Sequence, residues 1–149
     1  MVLAPFAGGR QTNDYDKIRV YACPSYPNKQ QLVCYVVNAW EFTDPNDFTG
    51  RPKDGPSRLS VLQRPAITIY SSDVDTQVPI VTTNTPNPGW NDVWSATHLP
   101  YSTGSRRTPN PARRVSLARH DHGDNLLLFD AHTAWKKAIQ IVPDDWRNP

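Results

Sequence analysis

Hydrophobic residues in this chain occur in short runs, and proline, glycine and polar residues separate the runs. Several runs are rich in valine, isoleucine and aromatic residues, a composition typical of β-strands. The predicted strands are 18–23, 31–42, 66–75, 114–119 and 125–130. Residues 58–63 predict one helical turn before Pro65, and only residues 133–142 offer a helical alternative to a strand. The pattern predicts a mainly β fold: a small antiparallel sheet with long irregular loops.

The run NLLLFD at 125–130 is the most apolar of these segments. A continuous apolar run of this length indicates a strand that is covered on both faces. We expect Leu126, Leu128 and Phe129 to lie largely in the core. Leu127 is expected to face the other side of the strand and to be partly covered.

Length and composition narrow the picture. The chain has 149 residues, which suggests one domain over 1–149, and its 15 prolines favour short elements. Residues 76–112 form the least regular segment and predict a long loop insertion, a feature that is usually functional or bound to a partner. The net charge of +2 gives no electrostatic argument for nucleic acid. No stretch approaches the ~20 apolar residues of a membrane span, and MVLAPFAGGR at the start does not read as a signal peptide.

Aromatic and basic residues mark two further features. Trp90, Trp94 and Tyr101 could line a surface that binds a sugar or a protein partner, or they could belong to the core. A basic stretch is interrupted by prolines, and we expect it to be a solvated loop or a subunit contact. Its residues are Arg106, Arg107, Arg113, Arg114 and Arg119.

Histidine and aspartate are concentrated in RHDHGDNLLLFDAHTAWKK at 119–137. His120 and His122 would face the same side of an extended segment, with Asp124, Asp130 and His132 within one hairpin of them. Such a set could hold zinc or a similar ion. The alternative is architectural: His120 would bond to a turn and Asp130 would cap the next one. Catalysis is not indicated, because the chain has neither a G-x-S-x-G elbow nor a glycine-rich phosphate loop.

Cys23 and Cys34 lie in two segments that are predicted to be extended. They could form a disulfide, which would contribute about 2–4 kcal/mol, or remain two buried thiols in a reducing compartment.

The stretch at 119–137 and three upstream motifs resemble those of a large bacterial family of prepilin-like proteins. The family is named for a His that is followed, after nine residues, by Asp-Gly. Here His120 is followed by nine residues and then by Asp130-Ala131-His132, with Asn125 at the family's Asn. Three upstream signatures occur in the family's order, and LAPFAGG near the start is similar to a fourth. They are Cys23-Pro24-Ser25, the pair Tyr35 and Asn38, and the block from Leu59 to Asp73.

The resemblance implies a pilin-like globular head, which becomes α+β if the family's hydrophobic N-terminal helix is counted. It implies a structural, non-catalytic subunit of an extracellular or periplasmic pilus or pseudopilus. Such a subunit would assemble with copies of itself or with other pilin-like subunits. That helix is not present in this sequence. Export would favour the Cys23–Cys34 disulfide. The resemblance implies no cofactor other than calcium, which related pseudopilins bind. The candidate calcium ligands here are the pair Asp73 and Asp75 or the pair Asp44 and Asp47.

Two expectations concern the motif's turn. Ala131 replaces the family's glycine and tolerates a positive φ poorly, so we expect a turn other than the two-residue Asp-Gly type. Because a strand rises about 3.3 Å per residue, Asp130 should lie well away from His120. We therefore expect separate turn-stabilising roles, with the His120 ring bonded to backbone or to a carboxylate near the second turn, and no shared metal. The competing functions are a secreted glycan- or ligand-binding module that uses Trp90 and Trp94, and a metal-dependent enzyme.

Overall fold

The structure is a computed structural model that describes residues 19–40, 62–79, 91–102 and 105–147. Its centre is a five-stranded sheet with the strand order β3-β1-β2-β6-β7, and β4 and β5 form a separate two-stranded sheet. The strands are β1 (Tyr35–Asn38), β2 (Ile69–Asp73), β3 (Asp92–Val93), β4 (Tyr101–Ser102), β5 (Ser105–Pro109), β6 (Gly123–Leu128) and β7 (Thr133–Lys137). The mainly β prediction is confirmed.

The sheet is mixed rather than purely antiparallel. Strands β1 and β2, β2 and β6, and β6 and β7 pair antiparallel, whereas β1 and β3 pair parallel through Val37 and Asp92. The parallel strand comes from the 76–112 segment, which was predicted to be irregular. This segment also supplies a 3-10 helix at Ala96–His98 and the β4–β5 hairpin. The described residues of this segment therefore form regular elements of the fold.

Two tryptophans are among the largest buried side chains of the core. Trp40 and Trp146 are fully buried, together with Ile69, Val36 and Val93. Asn38 holds the C-terminal tail in place. Its Nδ2 donates to the carbonyls of Ile69 and Trp146 at 2.7 and 2.6 Å, and its Oδ1 accepts from the backbone N–H of Trp40. Among the described residues, no helix is long and apolar enough to cross a membrane.

Some predicted elements differ from the observed ones. Residues 19–21 of the predicted first strand form a 3-10 helix, and 114–119 contribute only one bridge, between Val115 and Val74. Residues 133–142 divide into β7 and a 3-10 helix at Ala138–Gln140. Of the helical turn predicted at 58–63, only 62 and 63 are described, and they are not helical. Runs of three to five residues between turn residues do not distinguish a strand from a 3-10 turn, because both contain the same residue types.

The apolar run of β6 is less buried than predicted. Leu126 is 4% exposed, as expected. Leu127, Leu128 and Phe129 are only half-buried, so the prediction that Leu128 and Phe129 lie in the core is wrong. Leu128 packs at the core margin, and the Phe129 ring lies in the turn, edge-on to Tyr70 at 5.2 Å. Leu128 is the last residue of β6 and Phe129 belongs to the turn that follows it, so both lie at the margin of the sheet.

Two tight turns flank β6. Asp121 and His122 both have positive φ, 55° and 59°, and form a two-residue turn that the mutual backbone hydrogen bonds of His120 and Gly123 close. After β6, residues 129–131 form a three-residue turn, in which the Ala131 N–H bonds to Leu128 O and the Leu128 N–H to His132 O. A turn other than the two-residue Asp-Gly type was expected, and a three-residue turn is found. Ala131 nevertheless occupies the left-handed region that it was expected to avoid, at φ 71°.

Candidate functional site

Cys23, Asp73 and His120 meet at one end of the sheet. Their Sγ, carboxylate and ring nitrogen atoms all lie within 4.8 Å of one another. His120 Nε2 is 3.3 Å from Asp73 Oδ2 and 3.8 Å from Cys23 Sγ. The cysteine and the aspartate are buried, while the His120 side chain is 26% exposed. The cluster therefore opens to solvent on the histidine side.

Three separate local structures position these side chains. Cys23 begins a turn in which the Tyr26 N–H bonds to its carbonyl at 3.0 Å. Asp73 is the last residue of β2, and His120 immediately precedes the two-residue turn into β6. Trp135 of β7 fixes the backbone of His120, since its Nε1 donates to the His120 carbonyl at 2.8 Å.

The Asp73 carboxylate is fully buried and only partly satisfied. Its Oδ2 accepts the backbone N–H of Asn125 at 2.9 Å in addition to facing His120. Its Oδ1 is buried without a hydrogen-bond partner among the described residues. A buried carboxylate oxygen without a donor is costly, so this oxygen is unusual for a purely structural aspartate.

The cluster does not have the geometry of a Cys-His-Asp catalytic triad. In a triad, the nucleophile and the carboxylate bond to opposite nitrogens of the imidazole, so that the ring relays a proton between them. Here Asp73 and Cys23 both face Nε2. The arrangement converges on one point, which is what a set of ligands does around an ion.

A second buried carboxylate lies in the same region. Asp124 of β6 is fully buried, and neither of its side-chain oxygens has a hydrogen-bond partner among the described residues. Burial, followed by the negative charge of Asp73, raises its pKa to about 9, against smaller opposing effects of Arg119 and the Ser116 hydroxyl. The carboxyl group is therefore protonated and neutral at pH 7. The sequence pattern marks Asp124 only as a neighbour of the histidines, because the pattern does not show how deeply the Asp124 side chain is buried.

The calcium and basic-surface hypotheses involve residues that pair with each other instead. Asp75 accepts from Arg113 Nε at 3.0 Å and from the backbone N–H of Gln77. Arg114 pairs with Asp92, and Arg119 donates to the Val74 carbonyl and lies over the Tyr26 ring at 4.2 Å. Asp75 is therefore paired with Arg113, whereas Asp73 faces His120. These three arginines are therefore paired rather than solvated, and the alternative expectation, a subunit contact, stays a prediction. Asp44, Asp47 and the side chains of Arg106 and Arg107 lie outside what the structure describes.

The predicted disulfide is not formed. Cys23 and Cys34 are both buried free thiols. Their sulfurs have different neighbours: Cys23 Sγ contacts Ser25 Oγ at 3.0 Å and His120, whereas Cys34 Sγ donates to the Gln31 carbonyl at 3.8 Å. Burial raises the pKa of Cys34. The segment around Cys23 forms turns rather than the predicted strand, although it lies beside Cys34, whose N–H donates to the Tyr21 carbonyl at 2.8 Å. Pro24, between Cys23 and Ser25, is exposed in the turn.

His120 and His122 do not face the same side, because the turn at Asp121 and His122 breaks the extended alternation. His122 is exposed. At the other end of β6, Asp130 bonds to the N–H and ring Nδ1 of His132 at 3.0 and 2.7 Å. The His132 N–H is the main cause of the lowered pKa of Asp130. His120 and Asp130 thus have separate partners, as expected from their spacing, but the carboxylate beside His120 belongs to Asp73 and not to the second turn.

The aromatic residues proposed for an interface pack against their own chain. The half-buried Trp94 ring lies edge-on to His98 at 4.8 Å and faces the Arg114 guanidinium at 6.0 Å. Burial, aided by the positive charge of Arg114, lowers the pKa of His98 to about 4. Tyr101 is half-buried and pairs with Pro109 in the β4–β5 hairpin. Trp90 is outside the described residues.

Comparison of this chain with protein-family models, with curated proteins and with solved structures finds no match. The prepilin-like resemblance therefore rests on the motifs themselves. The motifs mark Cys23, Asp73 and His120 as separate positions and do not predict that these residues meet. The missing signal was the fold: the pairing of β2 with β6 brings Asp73 near His120, and the hydrogen bond from the Cys34 N–H to the Tyr21 carbonyl holds the segment of Cys23 beside the start of β1.

Proposed function

We propose that this chain is a structural, non-catalytic subunit of an extracellular or periplasmic pilus- or pseudopilus-like assembly, and that β7 is a contact between its copies. The motifs that resemble the prepilin-like family support the class of function. Several of them have architectural roles: Asn38 anchors the tail, Asn125 binds Asp73, and Asp130 stabilises the turn before β7.

The edge of β7 is the observation that carries the proposal. Hydrogen bonds from the Leu128 N–H to His132 O and from the Ala138 N–H to His122 O bracket the β6–β7 ladder. Because bonded and non-bonded pairs alternate in an antiparallel ladder, Thr133, Trp135 and Lys137 direct their backbone groups away from β6. These groups have no hydrogen-bond partner within the described part of the chain.

The side chains at this edge also favour association. Trp135 is 47% exposed and Ile139, just beyond the strand, is 41% exposed. Exposed aromatic residues are enriched where proteins associate, and an open edge can accept a strand from a second molecule. A strand added here would extend the five-stranded sheet from one subunit into the next.

A matched pair of variants at Thr133 tests this contact. Its N–H points outward, and proline is tolerated at the first residue of a strand, so Thr133→Pro removes the outward donor and leaves the β6 ladder intact. Thr133→Ala keeps the donor and serves as the control. Sedimentation velocity should show association that increases with concentration for the wild-type and Thr133→Ala chains, and a monomer for Thr133→Pro. Equal association of all three chains, or a wild-type chain that stays monomeric, would contradict the proposal.

A further inference from the structure

We propose that Cys23, Asp73 and His120 bind one Zn²⁺ ion, which ties the N-terminal described segment to the sheet. The proposal is independent of the assembly role proposed above. It rests on the donor atoms, their separations and their surroundings.

The separations fit a tetrahedral zinc centre. Bond lengths of about 2.3 Å to sulfur and about 2.05 Å to nitrogen or oxygen place a sulfur and a nitrogen about 3.6 Å apart, and a nitrogen and an oxygen about 3.3 Å apart. The observed separations are 3.8 Å from Cys23 Sγ to His120 Nε2 and 3.3 Å from Nε2 to Asp73 Oδ2. The third separation, from Cys23 Sγ to the Asp73 carboxylate, is within 4.8 Å, against about 3.6 Å in a tetrahedral site, so the sulfur and the carboxylate would draw together around the ion.

The donor chemistry selects the kind of ion. Thiolate and imidazole ligands favour zinc and similar transition metals, whereas calcium and magnesium require oxygen ligands. A thiolate and a carboxylate supply two negative charges, which a divalent ion neutralises. Binding requires the deprotonated thiol, so the affinity should decrease as the pH is lowered.

The buried carboxylate provides an independent indication. Asp73 is completely buried, and its Oδ1 has no hydrogen-bond partner among the described residues. A metal bound at Oδ2 would neutralise the charge of a buried carboxylate whose other oxygen has no hydrogen-bond partner among the described residues. The Asn125 N–H, which donates to Oδ2, orients the carboxylate in the way that outer hydrogen bonds orient metal ligands.

The three ligands leave a fourth position for water. The His120 side chain is 26% exposed, so this position can be reached from solvent. The ion would join three segments: the turn at Cys23, the end of β2 and the turn that leads into β6. We therefore expect zinc to stabilise the protein by mass action, because the unfolded chain does not hold these ligands together.

Equilibrium dialysis of the reduced full chain against Zn²⁺, followed by metal analysis, tests the site. We expect one equivalent of zinc in the wild type. Cys23→Ser and His120→Gln should each weaken binding by at least about 100-fold, since even residues that only orient a ligand contribute about 10–100-fold. The matched controls Cys34→Ser and His122→Gln should bind as the wild type does, because neither side chain belongs to the cluster.

Cobalt substitution provides a readout that does not depend on any variant. Co²⁺ bound to the wild-type chain should show a thiolate-to-metal charge-transfer band, and added Zn²⁺ should abolish it. Substoichiometric zinc in the wild type, zinc retained by both Cys23→Ser and His120→Gln, equal losses in the two controls, or cobalt without the charge-transfer band would each overturn the proposal.

Discussion

At the scale of single residues, the most informative position is Ala131. Its φ of 71° places an L-residue in the left-handed region, which costs about 1–2 kcal/mol relative to the right-handed one. The three-residue turn requires this conformation, and glycine usually provides it. The turn is held by its bonds to neighbouring segments: Phe129 and Asp130 donate to the carbonyls of Thr68 and Pro65.

We predict that Ala131→Gly stabilises the protein by about 0.5–1 kcal/mol, because relief of the strained φ exceeds the greater backbone entropy of glycine in the unfolded chain. The control is Ala134→Gly, in the exposed strand β7, which should destabilise by about 0.5–1 kcal/mol. Urea denaturation measures both. If the two substitutions destabilise equally, Ala131 does not occupy the left-handed region.

At the scale of elements, the burial of β6 differs from one leucine to the next. Leu126→Ala removes a side chain that is 4% exposed and belongs to the core. We predict a loss of about 2–5 kcal/mol in the free energy of unfolding. Leu128→Ala should cost less, because Leu128 packs only at the margin of the core. Chemical denaturation of the two variants decides the matter, and a greater loss for Leu128→Ala would place the centre of the core elsewhere.

The strands that pair centrally were the ones that the sequence predicted best. The runs that contain β1 and β2 combine β-branched or aliphatic residues with flanking turn residues, and they were predicted with bounds that are too wide. The run of β6 was predicted at 125–130 and lies two residues earlier, at Gly123–Leu128. The strand β3 was missed because two residues, Asp92 and Val93, have no periodicity of their own. Their strand exists because Val37 and Ala39 donate hydrogen bonds to the Asn91 and Val93 carbonyls, a tertiary effect.

At the scale of the whole molecule, two buried groups with large pKa shifts contribute opposite slopes to the pH dependence of stability. The folded pKa of Asp124 is raised to about 9, so the folded state keeps a proton that the unfolded chain loses above about pH 4. This contribution decreases as the pH rises, until about pH 9. The folded pKa of His98 is lowered to about 4, so the unfolded chain gains a proton below about pH 6.5 and stability decreases as the pH falls.

These two slopes oppose each other between about pH 4 and 6.5, and only the Asp124 slope remains above that range. For these two groups we predict a plateau followed by a decrease of up to about 1.4 kcal/mol per pH unit. Asp124→Asn should flatten the decrease and be more stable than the wild type at pH 8. Unfolding free energies measured in EDTA from pH 5 to 9 test this. A wild-type profile that rises from pH 6.5 to 8.5 would show that Asp124 is ionised in the folded state.

The candidate site shows where sequence reasoning reached its limit. Cys23, Asp73 and His120 were each identified from motifs, but spacing along the chain says nothing about which of them meet. His120 was paired in expectation with residues near in sequence, and Cys23 with the other cysteine. Their meeting depends on the pairing of β2 with β6, on the turn at Asp121 and His122, and on the hydrogen bond that holds the segment of Cys23 beside the start of β1. All three are properties of the folded molecule.

The central claim is that copies of this chain assemble, and electron microscopy of the purified 149-residue protein tests it most directly. Negatively stained wild-type protein at increasing concentration should form ordered filaments or rings, which Thr133→Pro should abolish and Thr133→Ala should retain. Monodisperse single particles at every concentration, indistinguishable among the three chains, would contradict the assembly role and favour a binding module that acts as a monomer.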